Sequence, residues 1–371
     1  MDDQIICIGC GAVLQSDNVE EAGYLPAARL KQARESKDED NDVYCQRCFR
    51  LRHYNEIMPV KADNDDFLKL LNSLAEKKAL VVNVVDLFDF TNSLLSALKR
   101  FIGNNDFILV GNKFDLFPQN SRQSKIKDWM RQEANRMGLY PKKIFLVSAK
   151  NKKNLPELIS YLDHNSRDQD VYFVGTTNVG KSTLLNAIIE QMGDIQNLIT
   201  TSRFPGTTLD KIEIPLTNGH FLVDTPGILT KNQLATHLNT QELELISPQK
   251  QLKPVTFQLS PGNSLFLAGL GRVDYLKGKK ASFTVYAARG LYIHRTKTEN
   301  VDSFYEKHIG ELLSPPAKSD KLPLLKGQEY HTGSKSDLLF GGIGFITVPA
   351  DCLVKIYTPG KIGLGIRRAL I

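Results

Sequence analysis

The stretch Val171-Tyr-Phe-Val-Gly175-Thr-Thr-Asn-Val-Gly180-Lys181-Ser182 decides the fold. Its first four residues form an apolar run that predicts a buried strand, and the rest matches the phosphate-loop pattern G-x-x-x-x-G-K-[ST], followed by a helical stretch. Glycines let the backbone wrap closely, so that N–H groups and a helix N-terminus face the phosphates. We expect Lys181 to reach the β- and γ-phosphates and the Ser182 hydroxyl to bind Mg²⁺.

Two segments downstream of the loop supply further metal contacts. A short apolar strand ends in Asp224-Thr-Pro-Gly227, a D-x-x-G motif. We expect Asp224 to hold the metal through water and the Gly227 N–H to sense the γ-phosphate. In the Pro-Gly-Thr-Thr segment before it, a threonine can bring its hydroxyl or carbonyl onto Mg²⁺ when a triphosphate is bound. Thr208 is the first choice and Thr207 the second, and a simple turn threonine is the alternative for either.

The base is identified by Asn112-Lys113-Phe114-Asp115, which follows an apolar strand over residues 107–110. The Asp115 carboxylate can accept two hydrogen bonds, from the ring N–H and the exocyclic amine of guanine. Adenine offers neither donor in that arrangement, so the buried carboxylate would be left unpaired. We expect Asn112 to hold the loop and approach the base, while the Lys113 stem covers the ring.

A second base motif, Ser148-Ala149-Lys150, ends the next predicted strand, residues 143–147. The Ala149 N–H can meet the guanine carbonyl oxygen there, so the two motifs together predict GTP or GDP as the ligand. The predicted nucleotide contacts are Asn112, Lys113, Asp115, Ser148, Ala149, Lys150, Gly175, Asn178, Val179, Gly180, Lys181, Ser182, Thr183, Thr207, Thr208, Asp224 and Gly227. The predicted Mg²⁺ ligands among them are Ser182, Thr208 and Asp224.

The order of these motifs is unusual. A Ras-like GTPase runs from phosphate loop to D-x-x-G to N-K-x-D to S-A-K, whereas here the two base motifs come first. Circular permutation is tolerated because domain termini lie close together at the surface. The sequence therefore predicts an α/β fold, a circularly permuted Ras-like P-loop GTPase domain. The chain leaves that domain just after Gly227, so we expect residues 228–248 to carry the nucleotide state to the following domain.

Catalysis is expected to be slow without help. Many Ras-like GTPases place a Gln after the D-x-x-G glycine to orient the attacking water, and here that residue is Ile228. Asn178 is a candidate ligand for a monovalent cation, K⁺, that would add positive charge beside the phosphates. Its alternative role is to stabilise the loop. Lys181, Asn178 and Thr208 are the predicted catalytic residues.

The N-terminal region carries Cys7-Ile-Gly-Cys10 and Cys45-Gln-Arg-Cys48, a four-thiolate set suited to structural Zn²⁺. A redox role for the two pairs is the less favoured alternative. Cys352 lies in an apolar stretch and is expected to be a buried small residue. Basic residues on and after the second pair suit RNA phosphates or, alternatively, form a solvated helix: Arg47, Arg50, Arg52 and His53.

Composition and charge divide the 371 residues into three predicted domains. A zinc-binding module covers residues 1–58, the GTPase domain 59–230, and a mostly β domain 231–371. From Lys250 onward there are 18 Lys+Arg and 9 Asp+Glu, so the last domain is basic and an anionic macromolecule is an expected partner; a solvated basic surface is the alternative. Neither a membrane span nor a targeting peptide is visible, and we expect a cytoplasmic, monomeric protein.

The chain resembles the YqeH-type circularly permuted GTPases. The resemblance rests on the Cys₄ module, N-K-F-D, S-A-K, G-T-T-N-V-G-K-S, P-G-T-T and D-T-P-G, in this order, before a basic C-terminal domain. Residues 85–90, Val-Asp-Leu-Phe-Asp-Phe, also look like the family's segment ahead of N-K-x-D. The resemblance implies a bacterial assembly factor for the small ribosomal subunit, with RNA-binding flanking domains. It further implies K⁺-stimulated hydrolysis through Asn178, with hydrophobic Ile228 replacing the catalytic Gln.

Three functions from different classes are compatible with these patterns. The favoured one is a GTPase switch that binds rRNA or a precursor of the small subunit and leaves after hydrolysis. The second is a GTP-regulated scaffold or signalling protein whose basic domain binds protein or anionic membrane. A redox enzyme that uses the cysteine pairs is a distant third, and tightly bound zinc would exclude it.

Overall fold

A computed structural model of the chain describes residues 5–8, 12–19, 21–35, 43–54, 72–192, 212–216, 218–227, 234, 237–318 and 322–371. The chain divides into two compact units. The first unit comprises Met1–Asp86, Ser93–Phe114 and Met130–Leu229, and the second comprises Leu87–Asn92, Asp115–Trp129 and Thr230–Ile371. Among the described residues, no helix is long and apolar enough to cross a membrane.

The first unit is built on a six-stranded sheet in the order β3-β2-β1-β4-β6-β5. Its strands are β1 (Ala79–Asp86), β2 (Asp106–Asn112), β3 (Ile144–Leu146), β4 (Asp170–Val174), β5 (Ile212–Pro215) and β6 (Phe221–Asp224). Pairing is parallel throughout except that β5 runs antiparallel to β6 at the edge. Because parallel strands end at one edge of a sheet, the motifs that follow β2, β3, β4 and β6 share that edge.

Helices flank this sheet, as near-continuous apolar strands require. The helices up to residue 191, in the described part of the chain, are α1 (Ala27–Glu35), α2 (Gln46–Tyr54), α3 (Phe90–Ser93), α4 (Leu98–Ile102), α5 (Gln123–Arg136), α6 (Leu155–Asn165) and α7 (Lys181–Gln191). Leucines of α6 and α7 pack with Val82, Ile108 and Phe173 in one buried cluster. A single helix is expected over residues 94–101, but the structure has α3 and α4 instead. The Ser93 hydroxyl, at the end of α3, accepts from the Asp86 N–H at 3.0 Å.

The second unit contains two antiparallel sheets of five strands, β16-β13-β14-β10-β7 and β11-β8-β9-β15-β12. The strands are β7 (Val255–Leu259), β8 (Asn263–Leu267), β9 (Gly271–Lys277), β10 (Ala281–Ala287), β11 (Ile293–Lys297), β12 (Leu325–His331), β13 (Ser336–Phe340), β14 (Gly344–Val348), β15 (Leu353–Pro359) and β16 (Leu364–Arg368). In the described part of the chain after residue 230, helices α8 (Thr240–Ile246) and α9 (Val301–His308) accompany them. Tyr275, Phe283 and Ile346 lie in its buried core. The prediction of a mostly β C-terminal region is confirmed.

Two segments from earlier in the chain belong to this second unit and cover part of one sheet. The Arg367 guanidinium on β16 lies 4.5 Å from the ring centre of Trp129 and 4.8 Å from that of Phe345. Arg367 Nε also donates to Asp337 Oδ2 at 3.0 Å. Phe90 packs against Trp129 with ring centres 4.6 Å apart. Residues 87–92 and 115–129 therefore share a packed, partly aromatic layer with β13, β14 and β16.

Candidate functional site

The phosphate loop connects the end of β4 to the first residue of α7. Gly180 has φ 83° and Asn178 has φ 65°, the left-handed region in which glycine and asparagine are the least strained residues. A Cβ at Gly175 would lie 2.7 Å from the Val84 carbonyl oxygen, so only glycine lets the loop approach β1 this closely. The loop therefore takes its turn where the sequence places its glycines and delivers Lys181 to the start of the helix.

Lys181 and Asp224 form a buried ion pair at the edge of the sheet. Lys181 Nζ donates to Asp224 Oδ1 and to the Thr225 carbonyl oxygen. Ser182 Oγ lies 3.4 Å from Asp224 Oδ2, so the hydroxyl and the carboxylate predicted to serve Mg²⁺ converge. Such hard oxygen ligands fit Mg²⁺. The Asp224 carboxylate and the Thr225 carbonyl oxygen thus neutralise the Lys181 ammonium group, a role that the nucleotide phosphates would take when bound.

Gly227 packs against the same loop. A Cβ at Gly227 would lie 3.2 Å from Thr177 Cα, which is tighter than ordinary van der Waals contact. The D-x-x-G glycine and the phosphate loop are thus neighbours in the first unit, although Gly227 lies 47 positions after Gly180 in the sequence. This proximity is what a γ-phosphate sensor requires.

Asn112 joins the base motifs to the phosphate loop. Its Nδ2 donates to the Val179 carbonyl oxygen at 2.9 Å, and its Oδ1 accepts from the Ala149 N–H at 3.0 Å. A Cβ at Gly180 would lie 2.5 Å from Asn112 Nδ2, so this glycine also makes room for the amide. The ends of β2 and β3 and the phosphate loop are therefore fastened together by one buried side chain.

The Ala149 N–H is used differently from the sequence-based expectation. We expected it to face the guanine carbonyl oxygen, and here it donates to Asn112 instead. Its role toward guanine stays a prediction, and it requires this N–H to be shared or released.

Two further base-motif residues, Lys113 and Ser148, lie just after β2 and β3. Lys113, with φ 65°, donates from Nζ to Asp86 Oδ2 at 2.6 Å. Ser148 is buried, and its Oγ accepts from the Asn151 N–H at 3.1 Å. Asp115 lies in the 3₁₀ helix Phe114–Leu116, two residues after Lys113, and is half-buried. Sequence reasoning assigned no role to Asp86; its position at the end of an apolar strand beside β2 was the available signal.

Other predicted residues are exposed or lie outside the described part of the chain. Asn178, Thr183 and Lys150 are exposed, whereas Val179 is buried in the core cluster. The predicted residues that lie outside the described residues are Cys10, Thr207, Thr208 and Ile228.

Three of the four predicted zinc ligands come together. The Sγ atoms of Cys7, Cys45 and Cys48 all lie within 4.8 Å of one another, and all three residues are buried. The Cys45 N–H donates to Cys7 Sγ at 3.1 Å, a contact that stabilises a thiolate. A compact, buried set of sulfur ligands fits Zn²⁺. Leu14, Leu25 and other apolar residues pack around the cluster.

The basic residues near the cluster lie on α2. Arg47 and Arg50 are half-buried and His53 is exposed, and the side chain of Arg52 lies outside the description. Arg47 Nε and Nη1 are buried and have no hydrogen-bond partner in the part of the chain that the structure describes. The choice between an RNA contact and a solvated helix therefore stays open.

Comparisons with known proteins agree with this site. Residues 170–258 match a family model described as 50S ribosome-binding GTPase, and residues 280–370 match one described as YqeH-like, C-terminal. The chain is 44% identical to uncharacterized protein YqeH of Bacillus subtilis over the full length of both chains. It is 29% identical to NO-associated protein 1 of Arabidopsis thaliana, over 92% of this chain and 69% of that protein.

A more distant relative is small ribosomal subunit biogenesis GTPase RsgA of Bacillus subtilis. It is 26% identical over 46% of this chain and 55% of that protein. The GTPase family model implies GTP and GDP as ligands, Mg²⁺ as their metal and hydrolysis of GTP as the reaction. Full-length identity of 44% decides the family. The chain belongs to the YqeH family of GTPases.

Proposed function

We propose that the protein is a circularly permuted GTPase that acts as a GTP-hydrolysing switch in assembly of the small ribosomal subunit. The observation that carries the proposal is Asn112, which fastens the two base motifs to a phosphate loop that follows them in the sequence. A ribosome-assembly role is supported by the relative named as a small ribosomal subunit biogenesis GTPase. The basic C-terminal half suits an RNA partner.

Permutation is supported by the sheet order. Strand β1 lies at the centre, with the base-motif strands β2 and β3 on one side and the phosphate-loop strand β4 and the D-x-x-G strand β6 on the other. Every motif therefore reaches the same sheet edge, although the phosphate loop comes later in the chain than the base motifs.

The phosphate end of the site rests on Lys181, Ser182 and Asp224. In this proposal Lys181 contacts the β- and γ-phosphates in place of its present partners, and Ser182, Thr208 and Asp224 bind Mg²⁺. Gly227 senses the γ-phosphate from beside Thr177. Thr207 is the alternative to Thr208.

The base end rests on Asp115, which accepts from guanine, and on Asn112, Lys113, Ser148, Ala149 and Lys150 around it. The ion pair of Lys113 with Asp86 supports the proposal because it fixes the lysine beside the loop that holds Asp115. With the stem of Lys113 held in this way, its methylene groups are available to cover the ring.

Hydrolysis is proposed to be slow and stimulated by K⁺. Asn178 is exposed on the phosphate loop with φ 65°, where its side-chain oxygen is free to turn toward a cation near the phosphates. Ile228 offers no group to orient water. The hydrolysis rate measured in KCl is therefore expected to exceed that in NaCl, and the Asn178→Ala variant is expected to lose the difference.

The flanking regions complete the proposal. Residues 1–58 form a structural zinc module, 59–230 the GTPase domain and 231–371 a domain that binds rRNA. Buried thiols at Cys7, Cys45 and Cys48 support Zn²⁺ over redox chemistry, with Cys10 as the fourth ligand. We further propose a cytoplasmic, monomeric protein.

The test is co-sedimentation with purified small ribosomal subunits in GDP and in a non-hydrolysable GTP analogue. The wild type is expected to bind in one nucleotide state and to dissociate in the other. In Asp115→Asn, the side-chain amide donates to the additional carbonyl of xanthine, so this variant should require a xanthosine triphosphate analogue instead. Sedimentation that ignores the nucleotide, or capture by anionic vesicles but not by subunits, would contradict the proposal and favour the scaffold alternative.

A further inference from the structure

The sheet β16-β13-β14-β10-β7 of the second unit has one face in the core and one face outward. Phe283 and Val285 of β10 are buried in the core, so Ser282, Thr284 and Tyr286 point to the opposite face. Thr347 of β14 lies directly opposite Thr284 and shares that face. The outward face therefore carries a row of hydroxyl groups.

Half of this outward face is already covered. Tyr286 stacks on Phe345 with ring centres 4.7 Å apart, and Phe117 packs against Phe345 at 6.2 Å. Together with Trp129 and Arg367, these rings fill the end of the face nearest to residues 115–129. The other end, around Ser282 and Thr284, has no such aromatic cover among the described residues, while Thr347 beside it is buried and donates to Asp337 Oδ1 at 2.6 Å.

The uncovered half forms an open groove of about 940 Å³, at the upper end of the range for ligand sites. Three exposed lysines stand around it: Lys279 and Lys280 in the turn between β9 and β10, and Lys335 before β13. Within the described chain, Lys279 and Lys280 have no ion-pair partner. Among the described residues that line the groove, Asp351 is the one carboxylate, so the lysines outnumber it; Lys335 also donates to the Ile371 carbonyl oxygen at 2.9 Å.

The turn that carries two of these lysines is fixed by Tyr275. Its hydroxyl donates to the Lys279 carbonyl oxygen at 2.5 Å, and a Cβ at Gly278 would lie 2.1 Å from the same hydroxyl oxygen. Burial, together with the contact to Cys352, raises the pKa of Tyr275, and burial followed by the charge of Asp337 raises that of Tyr286. Both phenols are therefore neutral and add no negative charge to the groove.

We infer that this groove binds the sugar–phosphate backbone of single-stranded RNA. Lysines and hydroxyls are the groups that contact phosphate and ribose, and a basic groove of this kind follows a single strand without reading its bases. An anionic membrane is a poor fit because the surface is concave, whereas the surface of a bilayer is flat. The inference rests on the proposed function in that it names the surface through which the C-terminal region meets RNA.

The test compares two full-length triple variants that change the net charge equally. The groove variant replaces Lys279, Lys280 and Lys335 with Glu. The control variant replaces three exposed lysines associated with the other sheet, Lys297, Lys326 and Lys361, with Glu. Binding of a labelled, unstructured oligouridylate is measured by fluorescence anisotropy over a range of salt concentrations. GTP hydrolysis and thermal unfolding of both variants verify that they are folded.

The groove variant is expected to bind RNA at least about tenfold more weakly, and its salt slope to fall by about 2, since each lost phosphate contact removes about 0.7. The control variant should retain both the affinity and the slope. Equal losses in the two variants, or RNA binding by the groove variant at the wild-type affinity, would overturn the inference. Competition by polyglutamate as effective as that by RNA would assign the groove to an acidic protein instead.

Co-sedimentation with small subunits, run in parallel, separates the two proposals. If the wild type binds the oligonucleotide through the groove but never sediments with subunits, RNA binding by the groove is supported and the proposed function is contradicted. If the wild type sediments with subunits and the groove variant does so equally well, the groove is wrong and the proposed function stands. Failure of the wild type to bind either RNA or subunits contradicts both.

Discussion

Two buried asparagines in the first unit show opposite ways of burying an amide. Asn112 is 2% exposed, and both ends of its amide are hydrogen-bonded to backbone groups. Asn83, in the middle of β1, is 0% exposed, and neither its Oδ1 nor its Nδ2 has a partner among the described residues. An unpaired buried polar group costs about 1–3 kcal/mol, whereas a paired one contributes to stability. The Asn83 amide thus lowers the stability of the fold, whereas the Asn112 amide stabilises the site through its two hydrogen bonds.

Replacing each asparagine with valine should therefore raise stability at position 83 and weaken nucleotide binding at position 112. Asn83→Val removes the unpaired amide and suits a strand, so the free energy of unfolding should rise by about 1 kcal/mol, or about 2–4 °C in Tm. Asn112→Val breaks two hydrogen bonds at the phosphate loop and should weaken GDP binding on the order of tenfold. Thermal unfolding and titration with a fluorescent GDP derivative measure the two effects. A lower Tm for Asn83→Val would show that the amide stabilises the fold through a contact of its own.

At the scale of elements, local patterns predicted the strands and long helices well. The apolar run over residues 79–85 predicts a strand and the stretch over residues 155–165 predicts a helix, and the structure has β1 (Ala79–Asp86) and α6 (Leu155–Asn165) there. Both carry a strong local signal, a β-branched apolar run in one case and a periodic apolar stripe in the other. The single helix expected near residues 94–101 is confirmed in its second half only, as α4 (Leu98–Ile102), and a separate short helix ends at Ser93, whose hydroxyl accepts from the Asp86 N–H at the end of β1. Such a bond depends on a strand that precedes it and leaves no local pattern.

Contacts within the candidate site were harder to predict than its members. The sequence motifs identify Asn112, Lys113 and Lys181 as members of the site because each motif has a fixed spacing. Their partners Asp86, Val179 and Thr225 follow only from which strands are neighbours in the sheet. Which strands are adjacent in the sheet depends on residues far apart in the sequence, and the motifs here occur in an unusual order. Motif spacing therefore does not predict these contacts.

The cysteine module gives the prediction that belongs to this scale. Cys45 immediately precedes α2 and touches Cys7 through its N–H, so the cluster links the start of the helix to the N-terminal turn. Cys45→Ser should release bound zinc, from about one ion per chain to well below, because a serine hydroxyl is a poor Zn²⁺ ligand at neutral pH. Metal content of the purified protein is measured by mass spectrometry. Cys352→Ser is the matched control, since Cys352 is also buried but lies in the other unit and should leave zinc unchanged.

At the scale of the whole molecule, the order of the motifs means that the chain enters the second unit directly after Gly227, the predicted γ-phosphate sensor. Gly227 is held beside Thr177 of the phosphate loop, and the second unit resumes at Thr230. Helix α8 is fixed at its start by a capping box of Asn239 and Glu242, and Glu242 Oε1 also accepts from the Ala317 N–H at 2.6 Å. The segment between Gly227 and Asn239 is therefore held at each end by a different unit. A change at Gly227 has a direct covalent route to α8.

Amide hydrogen exchange across residues 228–248 should consequently depend on the nucleotide. If Gly227 contacts the γ-phosphate, a non-hydrolysable GTP analogue should slow exchange in this segment relative to GDP, because it removes local opening at the end held by the first unit. Peptides from β8 and β9, within the second unit, should exchange equally in both states. Gly227→Ala should abolish the difference, because a Cβ there crowds Thr177.

Identical exchange of the wild-type segment in GDP and in the analogue would mean that the nucleotide state is not transmitted along this part of the chain. The covalent connections that remain between the two units are then those at residues 87–92 and 115–129, which belong to the second unit.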